Sequence, residues 1–204
     1  MAHIPDGLLS LPVLAGGWVA TGGLAAWSLR RLREETIPTT AVMAAVFFSV
    51  SLVAVPVGPS SVHLLLAGLM GLMIGPLTVP AVMVGLALQA LMFGFGGLLS
   101  LGVNTLNIAL PGVVAGLLLG PLVGRAAPAR AAVLAALGAA LAVLATGAGV
   151  ALALALSSPD YLPSARVLLL TYLPLMAAEA LITGFAVHFL KRVRPEALAG
   201  GDRP

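Results

Sequence analysis

The chain has 204 residues, 60% of them hydrophobic and only 8% charged, and it contains no cysteine. A water-soluble domain is about 45–50% apolar and about a quarter charged, so this chain has too little polar surface to cover a soluble globule. It reads as an integral membrane protein whose helices satisfy their own backbone groups in lipid. Without cysteine, disulfides, iron–sulfur clusters and thiolate metal sites are excluded. A net charge of +3 is too small to argue a nucleic-acid partner.

The opening Met1-Ala2-His3-Ile4-Pro5-Asp6-Gly7 lacks the basic start of a secretory signal, because Asp6 stands where that region would lie. A helix needs about 20 apolar residues to cross the hydrocarbon core. Candidate runs cover 11–29, 39–57, 62–74, 77–93, 102–123, 129–156 and 167–190, about seven in all. Gly58-Pro59, Gly75-Pro76, the stretch 94–97, Ala127-Pro128 and Ser158-Pro159 mark the junctions. The expected architecture is an all-α membrane domain over 1–194, with the N-terminal segment 1–10 folded into the bundle. A polar, flexible cytoplasmic tail is expected over 195–204.

Basic residues set the expected orientation, since cytoplasmic loops are enriched in Lys and Arg. With seven spans, Arg30, Arg31, Arg33, Arg125, Arg130, Lys191, Arg192, Arg194 and Arg203 fall on one side, and Arg166 alone on the other. This places the N-terminus outside and the C-terminus in the cytoplasm, in a multi-pass protein of the plasma (inner) membrane. His3, His63 and Asn104 then share one depth on the outer side, while His188 lies at the opposite end of the last span, where an interfacial role suits it.

The chemistry gathers at that outer end. An ionisable group in a membrane segment is expensive and usually functional, and His63 starts an apolar run. Two imidazoles plus backbone nitrogen are the donors the composition leaves. If Met1 stays, the amine, the amides of Ala2 and His3, and the His3 imidazole make four nitrogens in a plane. If Met1 is removed, the Ala2 amine, the His3 amide and its imidazole make three, leaving a corner for His63. Planar nitrogen ligation suits Ni(II) or Cu(II), with Co(II) a looser fit. A deprotonated amide ligand weakens binding as pH falls. Asp6, Ser60 and Asn104 are candidates for supporting the ligands from outside. Asp6 either orients His3 or caps the first helix. Asn104, Thr105 and Asn107 bond either the N-terminal segment or another helix. Gln89 reads as an interhelical hydrogen-bonding group, and Glu179, the only carboxylate deep in a span, as either an interhelical hydrogen-bonding group or a partner-coupling site, the first being favoured.

Met-Ala-His-Ile-Pro-Asp-Gly at the terminus, Pro-Ser-Ser-Val-His-Leu around His63, Gln-Ala-Leu-Met-Phe-Gly-Phe-Gly-Gly from Gln89, and Leu-Gly-Val-Asn-Thr-Leu-Asn around Asn104 closely resemble the cobalt/nickel substrate-capture subunits of energy-coupling-factor transporters, the CbiM/NikM type. The resemblance implies a seven-helix subunit that binds Co(II) or Ni(II) as transported substrate, with no tightly bound organic cofactor. It implies ligation by the terminal amine, the amide and imidazole of the N-terminal histidine, and the imidazole of His63. It also implies partners: a small membrane accessory subunit, a transmembrane coupling subunit and cytoplasmic ATPase subunits, all in membrane lipid. The family's common start has histidine directly after Met. Here Ala2 intervenes, and removal of Met1, which is expected, restores the pattern. The chain has no phosphate-binding Gly-x-x-x-x-Gly-Lys-Ser/Thr loop, so ATP hydrolysis is expected elsewhere.

Two other classes are weighed. An intramembrane serine protease has Ser60 and Ser61 near His63, but no Gly-x-Ser-x-Gly and no nucleophile at depth on another helix. A structural multi-pass protein with incidental histidines predicts no stabilisation by metal.

Overall fold

The computed structural model describes residues 3–53, 55–57 and 60–198. Among them are seven α-helices: α1 Leu11–Leu29, α2 Ile37–Ser51, α3 Ala67–Ile74, α4 Thr78–Phe93, α5 Leu101–Arg125, α6 Pro128–Ser157 and α7 Leu162–Val193. A short antiparallel hairpin, β1 Val55–Val57 with β2 Ser60–Val62, interrupts the otherwise helical chain. By length and composition, four stretches are long and apolar enough to cross a membrane: Ala67–Phe93, Leu101–Arg125, Pro128–Ser157 and Pro159–Val193. Large apolar side chains such as Val19, Leu118, Phe185 and Phe189 lie exposed around the bundle. Such a surface suits lipid rather than water.

Neighbouring residues give the helix directions. Phe47 and Ser51 of α2 lie beside Gly85 and Gln89 of α4, so these two helices run the same way. Ala67 and Gly71 lie beside Gly112 and Gly116, so α3 runs parallel to α5 and starts only about halfway along it. Asn107 lies beside Gly149, and Leu119 beside Gly138, so α6 runs antiparallel to α5. At the end of α3, Gly75 adopts a φ of 53°, a left-handed conformation that favours glycine. Pro76 follows, and its carbonyl accepts from Ser28 Oγ near the end of α1 at 2.6 Å. The chain then reverses into α4, which packs along α2 and α5. The apolar stretch Ala67–Phe93 is therefore a helical hairpin, not one straight rod.

The four residues ahead of α3 are not helical. Leu66 has a φ of 50°, the one positive value at a non-glycine among the described residues. Non-helical backbone at membrane depth is tolerated only where protein surrounds it and satisfies its polar groups. Leu65 is fully buried, and the amides of Leu65 and Leu66 both donate to Glu179 Oε1 of α7, the second at 2.8 Å.

Small residues allow α3 to lie deep in the bundle. A Cβ on Gly71, Gly112 or Gly116 would fall inside the backbone of the facing helix, the close approach that small residues permit in membranes. The main core gathers Leu65, Met70, Leu72, Ile108, Val113 and Val143 around α3. A smaller cluster joins Ile4 and Leu9 to Val103, Val150 and Leu154.

Two expectations need correction. The run expected over 39–57 stops being helical at Ser51, because the hairpin begins at Val55. The run expected from 62 turns helical only at Ala67, because Glu179 replaces the missing helical acceptors. After α7, Pro195–Leu198 forms a 3-10 turn packed on α3, α5 and α7, and Leu198 is buried.

Candidate metal site

The segment before α1 turns into the bundle instead of trailing from it. His3 and Ile4 are buried at 4% and 3% exposure. Asn104, on the first turn of α5, grips Ile4 twice: the Ile4 amide donates to Oδ1 at 2.9 Å, and Nδ2 donates to the Ile4 carbonyl at 2.9 Å. Ser100 Oγ donates to the same carbonyl at 2.7 Å. One side-chain amide thus satisfies both backbone groups of the residue next to His3, as a neighbouring strand would. Ser10 ties the far end of the segment to α6, its amide donating to Ser157 Oγ at 3.1 Å.

Asp6 completes the anchorage. Its carboxylate accepts from the Ser100 amide at 2.8 Å and the Leu99 amide at 3.2 Å. Partial burial opposes ionisation of Asp6, but these bonds outweigh it and hold the carboxyl below its usual range. The group therefore caps the start of α5. Neither sequence reading of Asp6 matches these bonds: it caps a different helix from α1, and it reaches loop amides rather than a His3 nitrogen. The α4–α5 loop leaves room for the segment through two glycines. Gly96, at φ 75°, would set a Cβ 3.2 Å from His3 Cβ, and a Cβ on Gly97 would fall on the Asp6 carboxylate.

His63 arrives from the other side, just after β2. It is 4% exposed, and its ring stacks on that of His3 with centroids 4.5 Å apart and planes 18° apart. His63 Nδ1 lies 3.1 Å from the Leu64 carbonyl. A carbonyl can only accept, so this bond assigns the proton to Nδ1 and leaves a lone pair on Nε2. The Nε2 atoms of both His3 and His63 are buried with no hydrogen-bond partner. Burial, and after it the neighbouring His63, hold His3 down to a pKa of about 3. Burial lowers His63 to about 4, against the opposing pull of the Leu64 carbonyl. Both imidazoles are thus neutral at ordinary pH, the protonation state a metal ligand needs.

Of the residues singled out in sequence, His3, His63, Asp6 and Asn104 come together at one end of the bundle. Met1 and Ala2 lie outside the described residues, as does the side chain of Ser60. Thr105 Oγ1 and Asn107 Nδ2 are buried without partners and do not reach the N-terminal segment. Gln89 bonds across to α2, donating to Ser51 Oγ at 2.6 Å and the Phe48 carbonyl at 3.0 Å. Ser100 was missed by sequence reasoning, although a serine directly before an apolar helical run carries a capping signal. Among the described residues no group of three or more His, Cys, Asp or Glu could hold a metal ion.

The described chain is thus a helical bundle with an apolar exterior that buries its own leading segment beside two imidazoles. The family model described as "Cobalt uptake substrate-specific transmembrane region", CbiM, matches residues 3–197. The chain belongs to this family, whose members are substrate-capture components in the plasma membrane. It is 35% identical over 201 residues to a Haemophilus influenzae protein named for metal transport, covering 96% of each chain. It is 32% identical to the cobalt transport protein CbiM of Sorangium cellulosum, over 96% of this chain and 94% of that one. It is also 32% identical to the fused nickel transport protein NikMN of Rhodobacter capsulatus, covering 99% of this chain but 65% of that longer one. The fold is shared with the crystal structure of a transition metal transporter, at TM-score 0.78 and 24% identity over 94% of this chain and 93% of that one. It is shared more loosely with the S-component for biotin of an ECF-type ABC transporter, at TM-score 0.59 and 21% identity over 78% and 91%.

Proposed function

We propose that this chain captures Co(II) or Ni(II) at the outer face of the membrane as the substrate-specific subunit of an energy-coupling-factor importer. The observation that carries the reading is the pair of buried imidazoles of His3 and His63, 4% exposed each and with ring centroids 4.5 Å apart, with His63 Nε2 left unpartnered. An orphaned buried nitrogen is costly unless something takes its lone pair, and two imidazoles brought together suit a nitrogen-loving transition ion. With His63 Nε2, the ligands are the terminal amine of the mature chain, supplied by Ala2 once Met1 is removed, the His3 amide, and His3 Nδ1, the ring nitrogen that can reach an ion held by that amide. Asp6, Asn104 and Ser60 support this set from outside it. The named relatives, one for cobalt and one for nickel, support both ions as substrates.

The chain crosses the bilayer seven times, with α3 and the extended residues before it making the third crossing, the N-terminus outside and the C-terminus in the cytoplasm. Residues 1–194 form one membrane domain. The likeness of fold to an ECF-type S-component supports a small accessory membrane subunit, a transmembrane coupling subunit and cytoplasmic ATPases as partners.

The test is metal analysis of the purified, untagged chain by equilibrium dialysis with Co(II) and Ni(II), with the N-terminal mass determined in parallel. One equivalent is expected to bind, and His3→Ala and His63→Ala are each expected to lose it while remaining folded. Unchanged binding by His63→Ala overturns the ligand set, and intact Met1 in the metal-bound protein overturns the assignment of the amine to Ala2.

A further inference from the structure

Glu179 lies in the middle of α7 with 0% exposure, far along the chain from either histidine. A carboxylate there is expensive, and such groups have a partner and a job. Its partners are the amides of Leu65 and Leu66, both on Oε1. The first of these amides is the informative one. The Leu65 N–H and the Leu64 C=O belong to a single peptide group, planar and rigid. The carbonyl end of that group lies 3.1 Å from His63 Nδ1, while its amide end donates to Glu179. One rigid plate therefore joins the carboxylate to the imidazole. Holding its N–H end fixes where its C=O points, and so fixes which ring nitrogen of His63 carries the proton.

We propose that Glu179 is the positioning residue for His63, acting through the Leu64–Leu65 peptide group to hold the imidazole in its Nδ1–H form with Nε2 free for the metal. The proposal rests on the reading of His63 as a ligand. It resembles in logic the carboxylates that orient metal-binding histidines directly, with a peptide group inserted between. An accepting carboxylate also polarises the peptide, since hydrogen bonds in a chain strengthen one another in a low-dielectric interior. The bond to Leu66 serves the same end. It holds the left-handed turn at φ 50°, from which α3 starts, so the arm bearing His63 cannot slide into the helical register that its apolar sequence would otherwise favour.

The experiment uses the full chain labelled with ¹⁵N-histidine, comparing wild type with Glu179→Leu and Glu179→Gln. The His63 ring signals are assigned by their loss in His63→Ala, and Co(II) dissociation constants are measured in parallel. Wild type is expected to show an Nδ1–H, bare-Nε2 His63. Glu179→Gln, whose side-chain oxygen can accept both amides, is expected to keep that tautomer and bind Co(II) within a few-fold of wild type. Glu179→Leu is expected to lose the single tautomer and bind Co(II) about 10–100-fold more weakly, the usual loss when the partner of a metal-bound histidine is removed. A folded Glu179→Leu protein with the wild-type tautomer and affinity overturns the proposal. If Glu179→Leu does not fold, Glu179→Asp decides. Its carboxylate is drawn back by one methylene, so a changed His63 Nδ1 signal with weaker binding is expected, and unchanged values overturn the proposal. If His63→Ala binds Co(II) like wild type, the ligand reading fails, but the tautomer comparison still decides whether Glu179 controls the ring.

Discussion

At the level of single residues, the site is built by exclusion of water before any metal arrives. Burial holds the two imidazoles at pKa values of about 3 and about 4, below the value near 6.5 of a free histidine. The unfolded chain therefore takes up protons first as pH falls. The pair's contribution to stability is full above about pH 6.5 and is lost progressively as pH drops toward 4 and then 3. The melting temperature should fall between pH 7.5 and pH 5 more steeply in wild type than in a His3→Asn, His63→Asn double variant. The same values mean that protons do not compete for the imidazole lone pairs above about pH 5. On the proposed ligand set, any weakening of metal binding between pH 8 and pH 6 is then expected to come from the amine and the amide. A binding profile whose midpoint follows the histidine ring signals would contradict this. Asn104 gives a separate test. Its side chain makes the paired bonds to Ile4, and losing one partner of a buried hydrogen bond costs about 1–3 kcal/mol. Asn104→Ala should lower stability by that order and weaken metal binding more than Thr105→Ala, whose hydroxyl bonds nothing. His63 and Asn104 were legible in the sequence because a polar group in an apolar run stands out, and His3 because the chain has only three histidines. The target of Asp6 was not, because a carboxylate can cap whichever helix start the fold delivers to it.

At the level of elements, apolar length located the helices well, and α1 matches its expected run of 11–29 residue for residue. It could not locate the break before α3. Residues 63–66 are as apolar as the helix that follows, and what keeps them extended is Glu179, more than a hundred residues away. Long-range satisfaction of backbone groups leaves no local mark. Glycine, by contrast, marks the helix contacts once the fold is known. A Cβ on Gly112 would strike the Ala67 backbone, whereas Gly22 and Gly120 face open space. Overpacking a tight interior costs about 1–3 kcal/mol, and more where backbone must move. Gly112→Ala should therefore lower the melting temperature sharply or prevent folding, while Gly22→Ala and Gly120→Ala should fold normally. Equal melting temperatures for all three would mean that α3 does not lie against α5 as described.

At the level of the whole molecule, the number of crossings depends on one turn. Ala67–Phe93 has the length and composition of a single span, yet α3 runs parallel to α5 while α4 runs with α2, and Gly75-Pro76 joins them beside Ser28. The end of α1 and the Gly75-Pro76 turn thus share a face. So do the ends of α5 and α7, where Lys191 Nζ donates to the Gly124 carbonyl at 2.8 Å. Ser10 and Ser157 meet at the opposite face. The absence of cysteine makes this testable by introducing one thiol at a time. Glu34, between α1 and α2, and Asp160, between α6 and α7, are both exposed. If the hairpin turns at Gly75-Pro76, five crossings separate them and they face opposite sides. If Ala67–Phe93 were one span, four crossings would place them on the same side. In right-side-out vesicles, an impermeant maleimide should label Asp160→Cys, and it should label Glu34→Cys only after the membrane is opened. Arg30, Arg31 and Arg33 beside Glu34 make that side the expected cytoplasmic one, because basic loops stay in the cytoplasm. The reverse pattern would invert the protein and put the histidine pair on the wrong face for uptake. Labelling of both positions from one side would remove the reversal before α4, and with it the extended arm that brings His63 to His3.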